Sequence, residues 1–183
     1  MRGLQTSLSA NAARTSAFSL TELVIVVVII GIVAAIAVPR LSSGARGADE
    51  SALIGSLSAM RRAIDIYSAE HQGEFPGRKG DGGSGAANTA AAFISQMTKY
   101  SKVDGHVASA RDAEHPFGPY LRSVPPLPVC ANKGSMTVLI DVTNSPPLVV
   151  PGTQGWVYNP RTGEIIGNCD DANGDGSRAY DEY

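Results

Sequence analysis

A single uninterrupted apolar segment near the start of the chain constrains this sequence more than any other feature. Residues 18–38 span 21 positions, and from Leu23 to Val38 no side chain is charged or strongly polar. A helix of about 20 apolar residues crosses a hydrocarbon core of about 30 Å. Glu22 lies near the start of this segment, where an unpaired carboxylate costs on the order of 2–3 kcal/mol in the bilayer. We therefore expect Glu22 to pair with a positive charge.

The residues that precede the apolar segment identify the kind of signal. Residues 1–17 contain two arginines, no acidic residue and no apolar core. An ordinary secretory signal peptide has its cleavage site behind its apolar region, whereas here the small Ala17 and the large apolar Phe18 come before it. A conventional signal peptide cut after Ala37 is one alternative, and a plain single-span anchor is another.

This arrangement resembles the class III signal of type IV pilins and of type II secretion pseudopilins. In that family a prepilin peptidase cuts before a Phe or Met and methylates the new amine. Mature residue five is Glu, and mature residue 22 is Pro. With Phe18 as the first mature residue, Glu22 is the fifth and Pro39 the twenty-second. Ala17 is a departure, because the family nearly always has Gly there, and a plain anchor does not explain the register of Glu22 and Pro39.

The resemblance extends beyond the N-terminal segment, where the chain is most similar to the major pseudopilin of type II secretion. Residues 77–115 match no motif of that family. The stretches that carry the similarity are Tyr67–Pro76, Gly118–Leu121, Gly155–Pro160 and Gly163–Ile165.

The fold that the resemblance implies is α+β, with a long N-terminal helix packed on a small antiparallel sheet and a loop-rich C-terminal region. It divides the chain into a cleaved leader at 1–17, a transmembrane and assembly helix at 18–38, a periplasmic helix at 39–72 and a globular head at 73–183.

Residue patterns predict the elements of the head independently. An apolar stripe at helical spacing predicts a helix that ends near residues 71–73, with Pro39 and nearby glycines weakening its start. The stripe consists of Leu53, Leu57, Met60, Ile64 and Tyr67. A second helix is expected from Asn88, as its cap, to about Ser101. Strands are predicted at 136–142, 155–159 and 163–167, and the last two flank a hairpin turn.

The Gly-rich stretch 72–88 is predicted to be a flexible connection. It lacks the G-x-x-x-x-G-K-[ST] pattern, and no strand leads into it, so it is not a phosphate-binding loop. Residues 102–135 are expected to be irregular because they contain five prolines.

The tail contains the one metal-binding pattern of the sequence. Residues 171–182 fit D-x-[DN]-x-[DN]-G-x5-E, a spacing that turns alternating oxygen ligands toward one Ca²⁺ ion. Resemblance adds weight, since major pseudopilins bind Ca²⁺ in their C-terminal loop. The alternative is a solvated acidic tail. The predicted ligands are Asp171, Asn173, Asp175, Ser177 and Glu182.

Cys130 and Cys169 are the two cysteines of the chain. In an oxidising compartment an even pair of cysteines indicates a disulfide, which here would join the metal loop to the loop before the first predicted strand of the sheet. Two separate buried thiols are the alternative.

Composition and motifs exclude several functions. The formal net charge is −2 and becomes more negative without the leader, so nucleic acid is not an expected partner. His71, His106 and His115 are scattered and lie beside no catalytic signature, so no catalytic residue is predicted and the protein is not expected to be an enzyme.

The function that the resemblance implies is assembly. Subunits anchored in the inner membrane, with their heads in the periplasm, would stack into a pseudopilus that drives export across the outer membrane. The implied partners are the prepilin peptidase, further copies of the chain, minor pseudopilins, the inner-membrane assembly platform and the membrane itself. A type IV pilin for adhesion, motility or DNA uptake and a membrane-tethered Ca²⁺-binding module are the alternatives.

Overall fold

The computed structural model describes residues 18–173 and 176–183, and the side chains of residues 38–43 are outside the described part. Two predicted sites therefore lie outside the described residues: the leader with Ala17, and the metal ligand Asp175. The chain divides into two compact units, Met1–Ser42 and Ser43–Tyr183.

The fold class is α+β, as predicted. Its elements are α1 (Leu20–Glu70), α2 (Ala90–Thr98), β1 (Tyr100–Ser101), β2 (Val107–Ala108), β3 (Val138–Ile140), β4 (Trp156–Tyr158), β5 (Ile165–Gly167) and a 3₁₀ turn (Tyr180–Glu182). Strands β1 and β2 form a two-stranded antiparallel ribbon, and β3, β4 and β5 form a second sheet in that order.

The second sheet is mixed, which corrects the expectation of a purely antiparallel one. Strand β4 pairs antiparallel with β5, but β3 pairs parallel with β4. A parallel pair needs a connection of a dozen or more residues. The long loop between Ile140 and Trp156 supplies that length, and it crosses over rather than turning back as a hairpin.

The predicted hairpin between β4 and β5 is confirmed. Its turn is closed by a hydrogen bond from the Gly163 N–H to the Asn159 carbonyl, at 2.9 Å. Gly163 has φ +78°, and a Cβ added there would lie 2.4 Å from the Phe75 ring. Only glycine satisfies both the left-handed backbone and the close approach of Phe75.

The second half of α1 buries the predicted stripe in the core of the Ser43–Tyr183 unit. All five stripe residues are at most 2% exposed. They pack in one cluster with α2 and the β4–β5 hairpin, through Phe93, Met97, Trp156, Tyr158 and Ile165. Burying a large apolar side chain contributes roughly 1.5–3 kcal/mol, so this stripe is a main source of the head's stability.

Helix α1 ends at Glu70, one residue before the predicted boundary. The Gly73 N–H donates to the Ser68 carbonyl at 2.8 Å, five residues back. Gln72 has φ +60°, the left-handed conformation that follows a helix in a Schellman motif. The backbone therefore turns out of the helix here.

The predicted start of the second helix was wrong. Asn88 has φ +59° and lies in the turn before the helix. Thr89 is the cap, and its hydroxyl accepts a hydrogen bond from the Ala92 N–H at 3.2 Å. The predicted end at Ser101 was also wrong, because Tyr100 and Ser101 form β1.

The Gly-rich stretch, predicted as a flexible connection, is organised by two buried polar side chains. The Asp81 carboxylate accepts hydrogen bonds from the N–H groups of Gly83 and Gly85, at 2.8 and 2.9 Å. Gln96 of α2 accepts from the Gly77 N–H at 2.6 Å and donates to the Gly105 carbonyl at 2.9 Å. Sequence reasoning missed these contacts because both side chains act on backbone groups.

Candidate functional site

The first candidate site is the N-terminal part of α1, which has no apolar partner within the described structure. The segment Leu20–Ala37 is long and apolar enough to cross a membrane, and none of it is buried. Apolar side chains are exposed on every face of the helix, including Leu23, Val28 and Ile32. A helix that is apolar all round needs lipid or other helices around it.

Glu22 caps the start of this helix. Its Oε2 accepts a hydrogen bond from the Ser19 N–H at 3.2 Å, and the Leu23 N–H donates to the Ser19 carbonyl at 3.1 Å. Glu22 thus forms the acidic half of a capping box with Ser19. The S-x-x-E pattern at 19–22 carries this signal, although sequence reasoning assigned Glu22 only an intermolecular role.

Phe18 and Pro39 delimit the same segment. Phe18 precedes the helix and is 81% exposed. The backbone of α1 is helical through Pro39, although the sequence predicted a kink or a weakened helix there. Residues 31, 44 and 47 are glycines on the same helix, and a Cβ added at any of them would meet no atom within 4 Å.

The second candidate site is the tail, which folds back on itself. Ala172 and Ala179 form an antiparallel bridge, and the Asn173 N–H donates to the Arg178 carbonyl at 2.8 Å. The Tyr180 N–H donates to the Asp171 carbonyl at 3.0 Å. These bonds close the predicted calcium loop at its base.

Asn173 is the hub of this loop. Its side-chain oxygen accepts from the N–H groups of Ser177 and Arg178, at 2.9 and 3.3 Å. Its amide donates to the Tyr183 hydroxyl at 3.1 Å and to the Ser177 hydroxyl at 3.2 Å. Asn173 therefore shapes the loop, and its oxygen has two hydrogen-bond donors before any ion is considered.

Two residues of α1 that sequence reasoning missed hold the tail. Glu50 accepts a hydrogen bond from the Tyr183 hydroxyl, and this contact raises the pKa of Tyr183. Arg61 donates to the carbonyl oxygens of Tyr183 and Ile165, at 2.6 and 3.1 Å. No sequence motif identifies Glu50 or Arg61, because their partners are more than 100 residues away along the chain.

The predicted disulfide between Cys130 and Cys169 is present, with Cα atoms 6.2 Å apart. A carboxylate oxygen of Asp171 and the two sulfur atoms all lie within 4.8 Å of one another. Both sulfurs are used in the covalent bond, so this group is not a metal-binding trio. The disulfide instead places Asp171 beside the loop that contains Cys130.

A polar cavity of about 440 Å³ opens between the tail and α1. Asp49, Asp171 and Asn173 supply oxygen atoms to its wall, and Arg46 and Tyr180 complete its polar lining. Asp49 also forms an ion pair with Lys133, at 2.6 Å.

The oxygen atoms near this cavity suit Ca²⁺ by their chemistry. Asp181, which is not among the residues that line the cavity, carries a buried Oδ1 with no hydrogen-bond partner among the described residues. A buried polar atom of this kind needs a water molecule or an ion as its partner. Glu182 lies 4.0 Å from Arg178 in a weak ion pair. Within the described residues no three carboxylates approach within 4.8 Å of one another. Asp175 is not one of the described residues.

A third polar cluster lies at the end of α1. The His71 ring stacks on Tyr67, with ring centroids 3.7 Å apart. Its Nδ1 donates to the Tyr67 carbonyl at 2.8 Å, and its Nε2 lies 3.0 Å from the Ser101 hydroxyl. Burial lowers the pKa of His71, so the ring is neutral at pH 7 and its Nε2 accepts from Ser101. His71 and Ser101 are at most 1% exposed, so neither is accessible to a substrate and the arrangement is structural.

No protein-family model and no solved structure matches the chain. Two curated proteins are similar to it. Type II secretion system core protein G of Aeromonas hydrophila is 34% identical over 58 residues, which are 32% of this chain and 41% of the relative. Core protein G of Klebsiella pneumoniae is 33% identical over 58 residues, with the same shares. The chain is similar to the major pseudopilins of type II secretion.

The similarity is partial, since the chain spans about 41% of the length of these relatives. It supports a pseudopilin-like role in type II secretion in general, and the exposed apolar helix agrees with a membrane-anchored protein. Neither relative is named as an enzyme, in keeping with the expected non-enzymatic role.

Proposed function

We propose that this chain is a structural subunit of a type II secretion pseudopilus. Copies stack through their N-terminal helices into a fibre that drives protein export across the outer membrane. The observation that carries the proposal is the apolar helix Leu20–Ala37, none of which is buried, joined to a head that has a hydrophobic core of its own. The similarity to core protein G supports the same role.

The geometry of such a fibre follows from the asymmetry of the subunit. An apolar helix on one unit and a compact head on the other present different surfaces to successive copies. Head-to-tail contacts between unlike surfaces do not close on themselves, and they generate an open helical filament. Removal of the helices from lipid into the fibre keeps their apolar faces covered.

Processing prepares the subunit for this assembly. In our proposal a prepilin peptidase cuts between Ala17 and Phe18 and methylates the new amine, which leaves the helix in the inner membrane and the head in the periplasm. Minor pseudopilins and an inner-membrane assembly platform are the further partners. Pro39 lacks a backbone N–H, so the helix around it has one hydrogen bond fewer and can loosen within the fibre.

Glu22 has two roles in this proposal. Within its own chain it caps α1 through the Ser19 N–H. Between chains its charge pairs with the cationic amine of Phe18 of a neighbouring subunit, and this pairing lowers the cost of burying either charge. The two roles respond differently to substitution, because a glutamine accepts the same hydrogen bond without the charge.

The tail is proposed to bind one structural Ca²⁺ ion with oxygens from Asp171, Asn173, Asp175, Ser177 and Glu182. Hard oxygen ligands in one short loop favour this ion. The Asn173 side-chain oxygen would bind the ion while it also accepts hydrogen bonds from the N–H groups of Ser177 and Arg178. When bound, the ion supplies positive charge that offsets the repulsion among the tail carboxylates.

Paired substitutions of Glu22 test the assembly proposal. Glu22→Gln keeps the cap and removes the charge, while Glu22→Ala removes both. We expect both variants to be inserted in the membrane and neither to form fibres or support secretion. Normal fibres from Glu22→Gln would show that the charge is dispensable. If the wild-type chain forms fibres but its deletion leaves protein secretion unchanged, the result would favour a type IV pilin instead.

A further inference from the structure

The disulfide lies between the polar cavity, which Cys130 lines, and the hydrophobic core, to which the buried Cys169 belongs. Cys130 lines the cavity together with Asp171 and Asn173, two of the proposed calcium ligands. Cys169 is two residues before Asp171 and is only 4% exposed. The sulfur atoms and an Asp171 carboxylate oxygen lie within 4.8 Å of one another, so the covalent bond and this ligand share one small volume.

The disulfide adds a covalent link between two segments that a hydrogen bond from the Asn132 side-chain amide to the Asn168 carbonyl, at 3.4 Å, also joins. The Cys130 loop is held by hydrogen bonds from the Gly134 N–H to the Leu127 carbonyl, at 2.7 Å, and from the Lys133 N–H to the Cys130 carbonyl, at 3.1 Å. Cys169 follows directly on the end of β5. The chain beyond Cys169 is therefore fixed from one side by the sheet and from the other by the sulfur bridge.

We propose that the Cys130–Cys169 disulfide controls the calcium affinity of the tail, so that the oxidised chain binds Ca²⁺ more tightly than the reduced chain. This inference rests on the calcium site of the proposed function. Its physical basis is preorganisation. When a side chain that binds the ion is already held in place, no part of the binding free energy is lost in ordering it.

Reduction changes the site through simple geometry. A dithiol reductant breaks the S–S bond, each cysteine sulfur gains a proton and becomes a thiol, and the reductant is oxidised to its cyclic disulfide. Two thiols cannot remain at bonding distance, so their sulfur atoms move apart to van der Waals contact. An Asp171 carboxylate oxygen lies within 4.8 Å of these atoms, and in this proposal their separation shifts Asp171 or frees the chain around it. Calcium must then order the tail as it binds.

The coupling has a functional consequence for an exported chain. Thiols stay reduced in the cytosol, and disulfides form in oxidising compartments such as the periplasm. The tail would thus reach its full calcium affinity only after the head has crossed the membrane.

Thermodynamic linkage allows the proposal to be tested either by the calcium affinity or by the midpoint potential of the disulfide. If the disulfide raises calcium affinity by some factor, calcium must stabilise the disulfide against reduction by the same factor. A tenfold effect corresponds to about 30 mV in the midpoint potential of this two-electron couple. The second measurement needs no variant and so does not depend on a mutant that folds.

The test uses the full chain in detergent micelles with calcium ions alone as the probe. Calorimetric titration compares the oxidised chain with the double variant Cys130→Ser, Cys169→Ser, and a redox titration of the wild type is run with and without saturating Ca²⁺. We expect the double variant to bind at least tenfold more weakly and calcium to lower the midpoint potential by about 30 mV or more.

Two results would overturn the proposal, and they are distinguishable. Equal calcium affinities of both chains, with an unchanged midpoint potential, would remove the coupling and leave the calcium site of the proposed function standing. If the oxidised chain binds no calcium, both the calcium site and the coupling are contradicted. The proposal of fibre assembly does not depend on this result.

Discussion

Glu50 on helix α1 accepts a hydrogen bond from the hydroxyl of Tyr183, 133 residues further along the chain. Together with Arg61, which holds the Tyr183 carbonyl, this contact fixes both ends of one residue of the tail to the helix. The order of the proposed calcium loop therefore depends on a helix that contributes none of the predicted ligands.

Removal of the Tyr183 hydroxyl should loosen the tail. We expect Tyr183→Phe to lower the free energy of unfolding by about 1 kcal/mol, the usual net value of one hydrogen bond, because Glu50 remains accessible to water. This corresponds to a melting temperature lower by about 2–4 °C. Thermal unfolding followed by circular dichroism measures it. Tyr100→Phe is the matched control, and an equal loss there would contradict a specific role of Tyr183.

Adjacent residues on α1 should differ sharply in their contribution to stability. Leu53 is 0% exposed and faces Gly167, where an added Cβ would lie 3.4 Å from the Leu53 Cδ1, whereas Ile54 is 44% exposed. We expect Leu53→Ala to cost about 2–5 kcal/mol through the cavity it leaves. Ile54→Ala should cost far less. Denaturant unfolding measures both, and similar costs would show that the packing of α1 on the head is misplaced.

Stability should fall as the solution becomes mildly acidic. Burial lowers the pKa of His71 in the folded chain, so below the ordinary value of 6.5 the unfolded chain binds a proton that the folded chain resists. The contribution of His71 to the free energy of unfolding is therefore largest above pH 6.5, and it is lost progressively as the pH falls below that value. We expect the decline between pH 7 and pH 5 to be smaller in His71→Gln. The exposed His106→Gln serves as control, and a His71→Gln profile identical to wild type would contradict the assignment.

Calcium should stabilise the folded head. An ion that binds only the folded state adds about 2.7 kcal/mol at 100 times its Kd, so chelation should lower the melting temperature by several degrees. Asp171→Asn should abolish most of this difference. Asp170→Asn, one residue away and also exposed, should leave it intact. An unchanged melting temperature after chelation would contradict the calcium proposal.

Sequence periodicity was sufficient for the parts of the fold that depend on local pattern. The stripe from Leu53 to Tyr67 and the hairpin around Pro160–Thr162 each follow from spacing and turn chemistry, and the structure confirms both. The Cys130–Cys169 bridge was predicted from compartment chemistry alone, and it is present.

The features that were missed depend on contacts between distant residues. The parallel pairing of β3 with β4 and the tail contacts of Glu50 and Arg61 have no local signature. Asn88 was assigned as a cap because Asn is a good capping residue, yet its left-handed backbone belongs to the preceding turn. The S-x-x-E pattern from Ser19 to Glu22 indicates the capping role of Glu22, but the sequence-based prediction considered only the charge of Glu22.

The central claim, that the chain is processed and assembled through its N-terminal helix, is tested most directly by intact-mass spectrometry of fibres purified from cells that express it. The account predicts helical fibres whose subunit begins at N-methylated Phe18. A subunit that begins at Val38, or a correctly processed chain that remains monomeric in the membrane, would contradict it.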